Sequence, residues 1–183
     1  NGGSQLALGT FDDAVAISTI FINTNLAACG GVMVAAIVPR LLSGKTDVIM
    51  MLNGAIGGLV AITAEPLAPS PLAAILIGGV GGLLVVLGTK LLFSLKIDDV
   101  VGAIPAHLFA GIWGTLAVPL TNADAIFSAQ LMGVLAVNIF VFVISLVIWG
   151  IMKNTIGIRL SKEAERLGTD VAETGVIAYA IRD

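Results

Sequence analysis

The chain has 183 residues, of which 57% are hydrophobic and 11% are charged, and its mean hydropathy is +1.05. Because soluble domains carry about 25% charged residues, this composition excludes most water-soluble globular classes. The net charge of −3 offers no basic face to nucleic acid. A single cysteine excludes an intrachain disulfide, and one cysteine with one histidine cannot form a zinc site of several Cys or His ligands. No metal or cofactor is therefore expected.

Five apolar blocks follow one another along the chain. They cover residues 14–38, 48–63, 72–93, 100–120 and 125–152. A helix needs roughly 20 residues to cross about 30 Å of hydrocarbon, so each block is a candidate span, and the second is marginal. The blocks do not alternate as barrel strands do, which favours helices. We therefore predict an all-α integral membrane protein, a polytopic helical bundle with five transmembrane helices and a tail over residues 153–183.

Charge between the blocks predicts their orientation. The loops on one side and the tail hold every basic residue: Arg40, Lys45, Lys90, Lys96, Lys153, Arg159, Lys162, Arg166 and Arg182. The positive-inside rule places this side, and hence the C-terminus, in the cytoplasm. The chain starts at Asn1 without an initiating Met or a recognisable signal peptide, so we expect a piece of a longer or processed protein.

Small residues and turn residues predict how the helices meet and end. The second and third blocks carry Asn53, Gly54, Gly57, Gly58, Ala61, Gly78, Gly79, Gly81, Gly82 and Gly88, a composition that favours close helix packing in lipid. Three prolines in residues 64–71 predict a non-helical connection. In the tail, Ser161 is a candidate helix cap and Gly168 a candidate helix end.

His107 is the single ionisable side chain deep inside a block. Counting α-helical rise from Val100 places it roughly 10 Å beyond the cytoplasmic edge. Ala103, Gly111 and Gly114, at i−4, i+4 and i+7, predict a face of small residues that borders a narrow hollow. Two interpretations stay open: a functional group facing a cavity, or a structural histidine hydrogen-bonded to a neighbouring helix.

Two aspartates and several polar residues complete the candidates. Asp98 and Asp99 precede the same helix, where they would form either a charged cytoplasmic mouth or a helix cap. The remaining polar groups at depth or near the outer surface are Asn1, Ser4, Asn23, Thr24 and Asn25.

The order of these motifs resembles the second half of the ammonium transporter family (Amt/Mep/Rh). The resemblance is carried by Asn1-Gly2-Gly3-Ser4, Phe21-Ile22-Asn23-Thr24-Asn25, the stretch at residues 53–63, Asp98-Asp99 with residues 102–107, Gly111-Ile112-Trp113-Gly114, and a tail running from Gly157 through Glu163, Gly168 and Asp170 to Tyr179. It is collinear over the whole chain.

The resemblance implies an eleven-span inverted-repeat transporter in the plasma membrane, or the inner membrane of a bacterium. It implies a homotrimer with one pore per subunit that binds ammonium, deprotonates it and passes ammonia through an apolar pore. His107 would be one of two pore histidines that contact each other, and Ser4 would lie in the outer ammonium-binding vestibule. Family members are also regulated by a PII-type protein, but Thr174-Gly175-Val176 replaces the frequent His-Gly-Glu, which counts against that regulation.

Alternatives from other functional classes remain. An ammonium sensor would use the same bundle to bind ammonium and pass on a signal, and a structural membrane subunit would use His107 only for packing. We do not expect an enzyme, because no nucleophile, base and orienting group recur at sensible spacing.

Overall fold

A computed structural model describes residues 1–177, so Tyr179 of the tail motif and the basic residue Arg182 lie outside the described residues. The chain divides into two compact units, Asn1–Leu135 and Ala136–Asp183. The described residues form helices and turns without any β-strand, which confirms the predicted all-α class.

The first unit contains most of the apolar helices. Its elements are a 3₁₀ turn at Gly2–Gln5, α1 at Phe11–Ser43, α2 at Val48–Ile62, α3 at Pro71–Ser94, a π-helix at Ile104–Phe109, α4 at Ala110–Ala117, and a 3₁₀ turn at Val118–Leu120. Side chains cap the starts of α1, α2 and α3: Thr10, Asp47 and Ser70 each accept a hydrogen bond from a backbone N–H three residues on. The boundaries of these helices therefore follow local sequence signals.

Length separates the apolar helices into two groups. Among the described residues, α1, α3 and the later helix α5 at Phe127–Thr155 are long and apolar enough to cross a membrane by themselves. The segments Val48–Ile62 and Ile104–Leu120 are apolar but shorter. The second block is thus a short helix, as its marginal length indicated.

In the fourth apolar block, the helix starts several residues after the first apolar residue. We expected helix from residue 100, but Val100 and Val101 lie in a turn and Gly102 has a φ of 72°. A positive φ of this kind ends regular helix geometry and favours glycine. Helical structure starts near Ala103 and runs first as a π-helix, so a depth for His107 counted as α-helical rise from Val100 does not hold.

The backbones of α1, α2 and α3 approach each other through glycines. Gly31 of α1 faces Gly54 of α2 and Gly82 of α3, while Gly57 of α2 faces Gly81 of α3. Ala27, one turn earlier in α1, faces Gly58 of α2 and Gly78 of α3, so α1 runs antiparallel to α2 and parallel to α3. Small faces of this kind let membrane helices approach closely, and the predicted packing role of Gly54, Gly57, Gly81 and Gly82 is confirmed.

Hydrogen bonds tie down the connection between α2 and α3 at the end opposite the basic loops. The buried Asn23 side chain donates from Nδ2 to the carbonyl oxygens of Pro66 (3.0 Å) and Pro69 (2.8 Å). Glu65 accepts from two backbone N–H groups of the same loop and, at 3.1 Å, from Asn122 Nδ2. The proline-rich segment is non-helical, as predicted, and is fixed to α1.

The second unit consists of the rest of α5 and two short helices. These are α6 at Lys162–Leu167 and α7 at Thr169–Thr174. Ser161 caps α6 by accepting from the Ala164 N–H, and α6 ends at Gly168, which confirms both predicted signals. Arg159 and Glu165 form an ion pair at 3.0 Å between exposed side chains.

Candidate functional site

His107 lies in the middle of the π-helix, between Pro105 and Phe109. Pro105 has no N–H, and Gly88 of α3 leaves room for the wide turn, since a Cβ there would lie 2.6 Å from the Phe109 ring and 3.0 Å from Pro105 Cβ. Short π-helical segments occur frequently at functional sites. The His107 side chain is exposed on the chain, and no described residue forms a hydrogen bond with its imidazole.

Asp99 holds the start of this helix. Its Oδ1 accepts from the Ala103 N–H at 2.9 Å and its Oδ2 accepts from the Ile104 N–H at 2.8 Å. These are two of the N–H groups that a helix start leaves without intrahelical partners. Asp99 therefore has the geometry of a helix cap, the second of the two roles considered for it, whereas Asp98 is exposed.

A side chain from α2 also holds the turn at residues 99–102. Asn53 Nδ2 donates to the Val101 carbonyl oxygen at 2.9 Å, and a Cβ on Gly102 would lie 2.6 Å from the same nitrogen. Sequence reasoning assigned Asn53 only to a face of small residues. The pair is separated by 48 positions in the chain, and only the asparagine itself, a polar residue among glycines and alanines, hinted at a hydrogen bond.

The predicted face of small residues beside His107 is not a single face. Gly114 is buried against the Ala61 backbone of α2, and a Cβ added at Gly111 would lie 3.6 Å from Val60 Cγ1. His107 and Ala103 are exposed. The prediction of one stripe was wrong because it assumed α-helical periodicity, whereas the π-helix changes the register between His107 and α4. The small residues after His107 serve helix packing.

Ser4 lies in the 3₁₀ turn that precedes α1. It is exposed, and its backbone N–H donates to the Asn1 carbonyl at 2.9 Å. Asn1 joins this turn to two helices, because its Nδ2 donates to Thr24 Oγ1 (3.2 Å) and its Oδ1 accepts from Thr63 Oγ1 (3.3 Å). The turn that carries Ser4 is thus held against the middle of α1 and the C-terminal end of α2.

The two candidate regions contact α2 at different levels. Asn1 contacts Thr63, which follows the last residue of α2, whereas the 99–102 turn contacts Asn53 in the first half of the helix. Ten residues of helix correspond to about 15 Å. Asp98 and Asp99 are on the His107 side, where they border a cavity of about 130 Å³ together with Thr89, Phe93 and Gly102. Among the described residues, no hydrogen bond links Ser4 to His107.

Comparisons with known proteins agree on one family. The sequence model of the Ammonium Transporter Family matches residues 1–179. The chain is 37% identical to the ammonium transporter Amt2 of Archaeoglobus fulgidus and 34% identical to an ammonium transporter of Bacillus subtilis. In both cases the matched region covers 98% of the chain, and it covers 42% and 47% of those relatives. The chain thus spans less than half the length of these relatives.

A solved structure named a Sensor Amt Protein superimposes on this fold. The TM-score is 0.86 at 29% sequence identity, over 94% of this chain and 44% of the other. Proteins of this fold cross the membrane several times, which agrees with the apolar helices described above and confirms the predicted polytopic membrane class. The family match extends over almost the entire chain, and the chain therefore belongs to the ammonium transporter family.

Proposed function

We propose that the full-length protein transports ammonium across a membrane as ammonia, and that His107 lines the pore. The observation that carries this proposal is the family match over residues 1–179. The relatives from Archaeoglobus fulgidus and Bacillus subtilis, both named ammonium transporters, support the same substrate.

Electrostatics explains why the ion would lose its proton before crossing. Moving an intact ammonium ion into a medium of low dielectric constant costs tens of kcal/mol in solvation free energy. Neutral ammonia avoids most of that cost. Potassium resembles ammonium in size but has no proton to release, so a pore that requires deprotonation rejects potassium without a size filter.

His107 fits the role of a pore-lining group for a small polar molecule. A neutral imidazole offers one donor nitrogen and one acceptor nitrogen, which match the lone pair and the N–H groups of ammonia. The competing structural interpretation needs a hydrogen bond to a neighbouring helix, and no described residue supplies one. The exposed position of His107 leaves the ring accessible to a conduit completed by other parts of the protein. Together with a second histidine, it would relay the proton that ammonium releases.

The other candidates receive separate roles in this proposal. Ser4 would help to receive ammonium at the outer vestibule, about 15 Å along α2 from the level of the 99–102 turn. Asp99 would act through its hydrogen bonds at the helix start, without touching the substrate. Asp98 would contribute negative charge at the cytoplasmic mouth.

The setting of the protein follows from the same proposal. We place it in the plasma membrane, or the inner membrane of a bacterium, with the tail in the cytoplasm as the positive-inside rule requires. It would work as a homotrimer with one pore in each subunit. Regulation by a PII-type protein is not included, because Thr174-Gly175-Val176 lacks the imidazole and carboxylate of the frequent family sequence.

The direct test is ammonium-evoked current and ammonium-over-potassium selectivity in proteoliposomes that contain the full-length protein. We expect His107→Ala to change the current, the selectivity or both. Asn154→Ala is a matched control, since Asn154 bonds only to a carbonyl of its own helix, Gly150, at 2.7 Å. Unchanged current and selectivity in His107→Ala would remove His107 from the mechanism.

A sensor function is the second candidate, because the superimposed structure is named a Sensor Amt Protein. The same proteoliposomes separate the two functions. A sensor would bind ammonium, measured by calorimetry, without carrying radiolabelled methylammonium into the vesicles. A transporter would accumulate it, and a structural subunit would do neither.

A further inference from the structure

We propose that Asn53 is a positioning residue for His107: its side-chain amide holds the 99–102 turn and thereby sets the register of the π-helix. The inference rests on the proposed pore role of His107. It assigns to α2 a specific part in transport that lies outside the residues facing the substrate.

The contact between α2 and the turn is short and directional. Asn53 Nδ2 donates to the Val101 carbonyl oxygen at 2.9 Å. Gly102 follows with a φ of 72°, and a Cβ at this position would come within 2.6 Å of the same nitrogen. A residue other than glycine would therefore be strained and would also collide with the amide. The Asn53 amide therefore packs against Gly102 in a space that only glycine leaves open.

Asn53 and Asp99 hold the turn from two directions. Asp99 works locally, because its carboxylate caps Ala103 and Ile104 and its own carbonyl accepts from the Gly102 N–H at 3.3 Å. These bonds would survive if the whole turn moved as a unit. Asn53 belongs to a different helix, so its bond fixes the position of the turn relative to α2.

The turn is close enough to His107 for its position to matter. Four residues separate Gly102 from His107, and all but the first of them lie in the π-helix. A π-helix is a rare and short structure that requires support from its surroundings. If the turn were released, the segment could return to α-helix with a register shift of one residue. One residue corresponds to roughly 100° of rotation, which would move the imidazole off its present face.

A second contact, between the π-helix and α3, points to the same sensitivity. Gly88 of α3 lies against the Phe109 ring and Pro105, with no room for a methyl group. The turn before the π-helix is thus bonded to Asn53 of α2, and the π-helix itself packs against Gly88 of α3. Removal of the Asn53 bond leaves Asp99 and the Gly88 contact in place, so the fold should persist while the register of His107 changes.

The test measures the initial rate of radiolabelled methylammonium uptake by proteoliposomes that contain the full-length protein. Two variants remove the donor while keeping a side chain of similar size: Asn53→Asp and Asn53→Leu. The leucine variant avoids placing a new charge near lipid. Asn154→Asp and Asn154→Leu are the matched controls. Folded protein is quantified by thermal unfolding and by its recovery in size-exclusion chromatography.

We expect each Asn53 variant to lower the maximal uptake rate per folded protein at least tenfold. The concentration for half-maximal uptake should change less than twofold, because binding at the outer end is untouched. The double variant His107→Ala/Asn53→Leu should be no slower than His107→Ala alone, since both substitutions act through one group. The Asn154 variants should match the unsubstituted protein.

Three results would overturn the inference. One is a normal maximal uptake rate per folded protein in both Asn53 variants, even if the variants yield less folded protein. Another is full additivity of the Asn53 and His107 effects. The third is a normal rate in His107→Ala, which would refute the pore role of His107 as well. Impairment in His107→Ala with normal Asn53 variants refutes the positioning role alone and leaves the proposed function intact.

Discussion

Replacement of Gly78 by alanine tests whether backbone contact between α1 and α3 stabilises the first unit. A Cβ at Gly78 would lie 2.5 Å from the Ala27 carbonyl carbon and 2.6 Å from Ala27 Cα. The intrinsic helix propensity of alanine favours the substitution by about 1 kcal/mol. Overpacking of a tight contact costs about 1–3 kcal/mol, and the upper value applies because backbone atoms cannot rotate away. We expect a net loss of about 2 kcal/mol in the free energy of unfolding.

The matched control is Gly79→Ala in the same helix. Its Cβ would meet Val34 Cγ2 at 3.3 Å, a side-chain atom that can move, and the next neighbour is at 3.8 Å. The free energy of unfolding of this variant should equal that of the unsubstituted protein or exceed it by up to about 1 kcal/mol. The measurement is unfolding of the purified full-length protein in mixed detergent micelles. Equal stability of the two variants would contradict the argument that α1 and α3 touch through their backbones.

Three further substitutions test the site and the cap of α1. Gly88→Ala should slow methylammonium uptake while the protein stays folded, because its Cβ would press on the Phe109 ring at 2.6 Å; a normal uptake rate would refute the tight fit. Asp99→Ala should lower stability by about 1 kcal/mol, the usual cost of losing a helix cap, as measured by chemical unfolding against Asp98→Ala as control. Hydrogen bonds to the Asp13 carboxylate, first of all from Gln5, lower the pKa of Asp13. The ionised Asp13 therefore stabilises α1 at pH values above its ordinary pKa, and this stabilisation is lost as the pH falls through the lowered pKa. Asp13→Asn should abolish this pH dependence of thermal unfolding, and an unchanged pH dependence would exclude Asp13 as its source.

Much of the fold followed from local sequence signals. The apolar blocks, the proline-rich loop, and the Ser161 and Gly168 signals of the tail each depend on residues near in sequence, which is why they were predictable. The glycine faces were also predictable as packing surfaces, since close approach in lipid requires small residues. Which glycine meets which partner, such as Gly31 with Gly54, emerged only from the structure.

The site was less predictable, because its geometry depends on a deviation from regular helix. His107 could be chosen from its chemistry and its position in an apolar block. The π-helix leaves no simple periodic signature, so the apolar residues at 100–102 were assigned to a helix and Gly114 to the wrong face. The bond from Asn53 to Val101 spans 48 positions and cannot be read from a single sequence.

The length of α1 has a consequence for how the protein sits in lipid. Its 33 residues extend about 50 Å, whereas hydrocarbon is about 30 Å thick. Even the 25 apolar residues at 14–38 extend about 38 Å, so the helix must tilt or kink, or the bilayer must thicken locally. Both tips of α1 must therefore emerge among lipid headgroups, with Asp13 at one surface and Arg40 at the other.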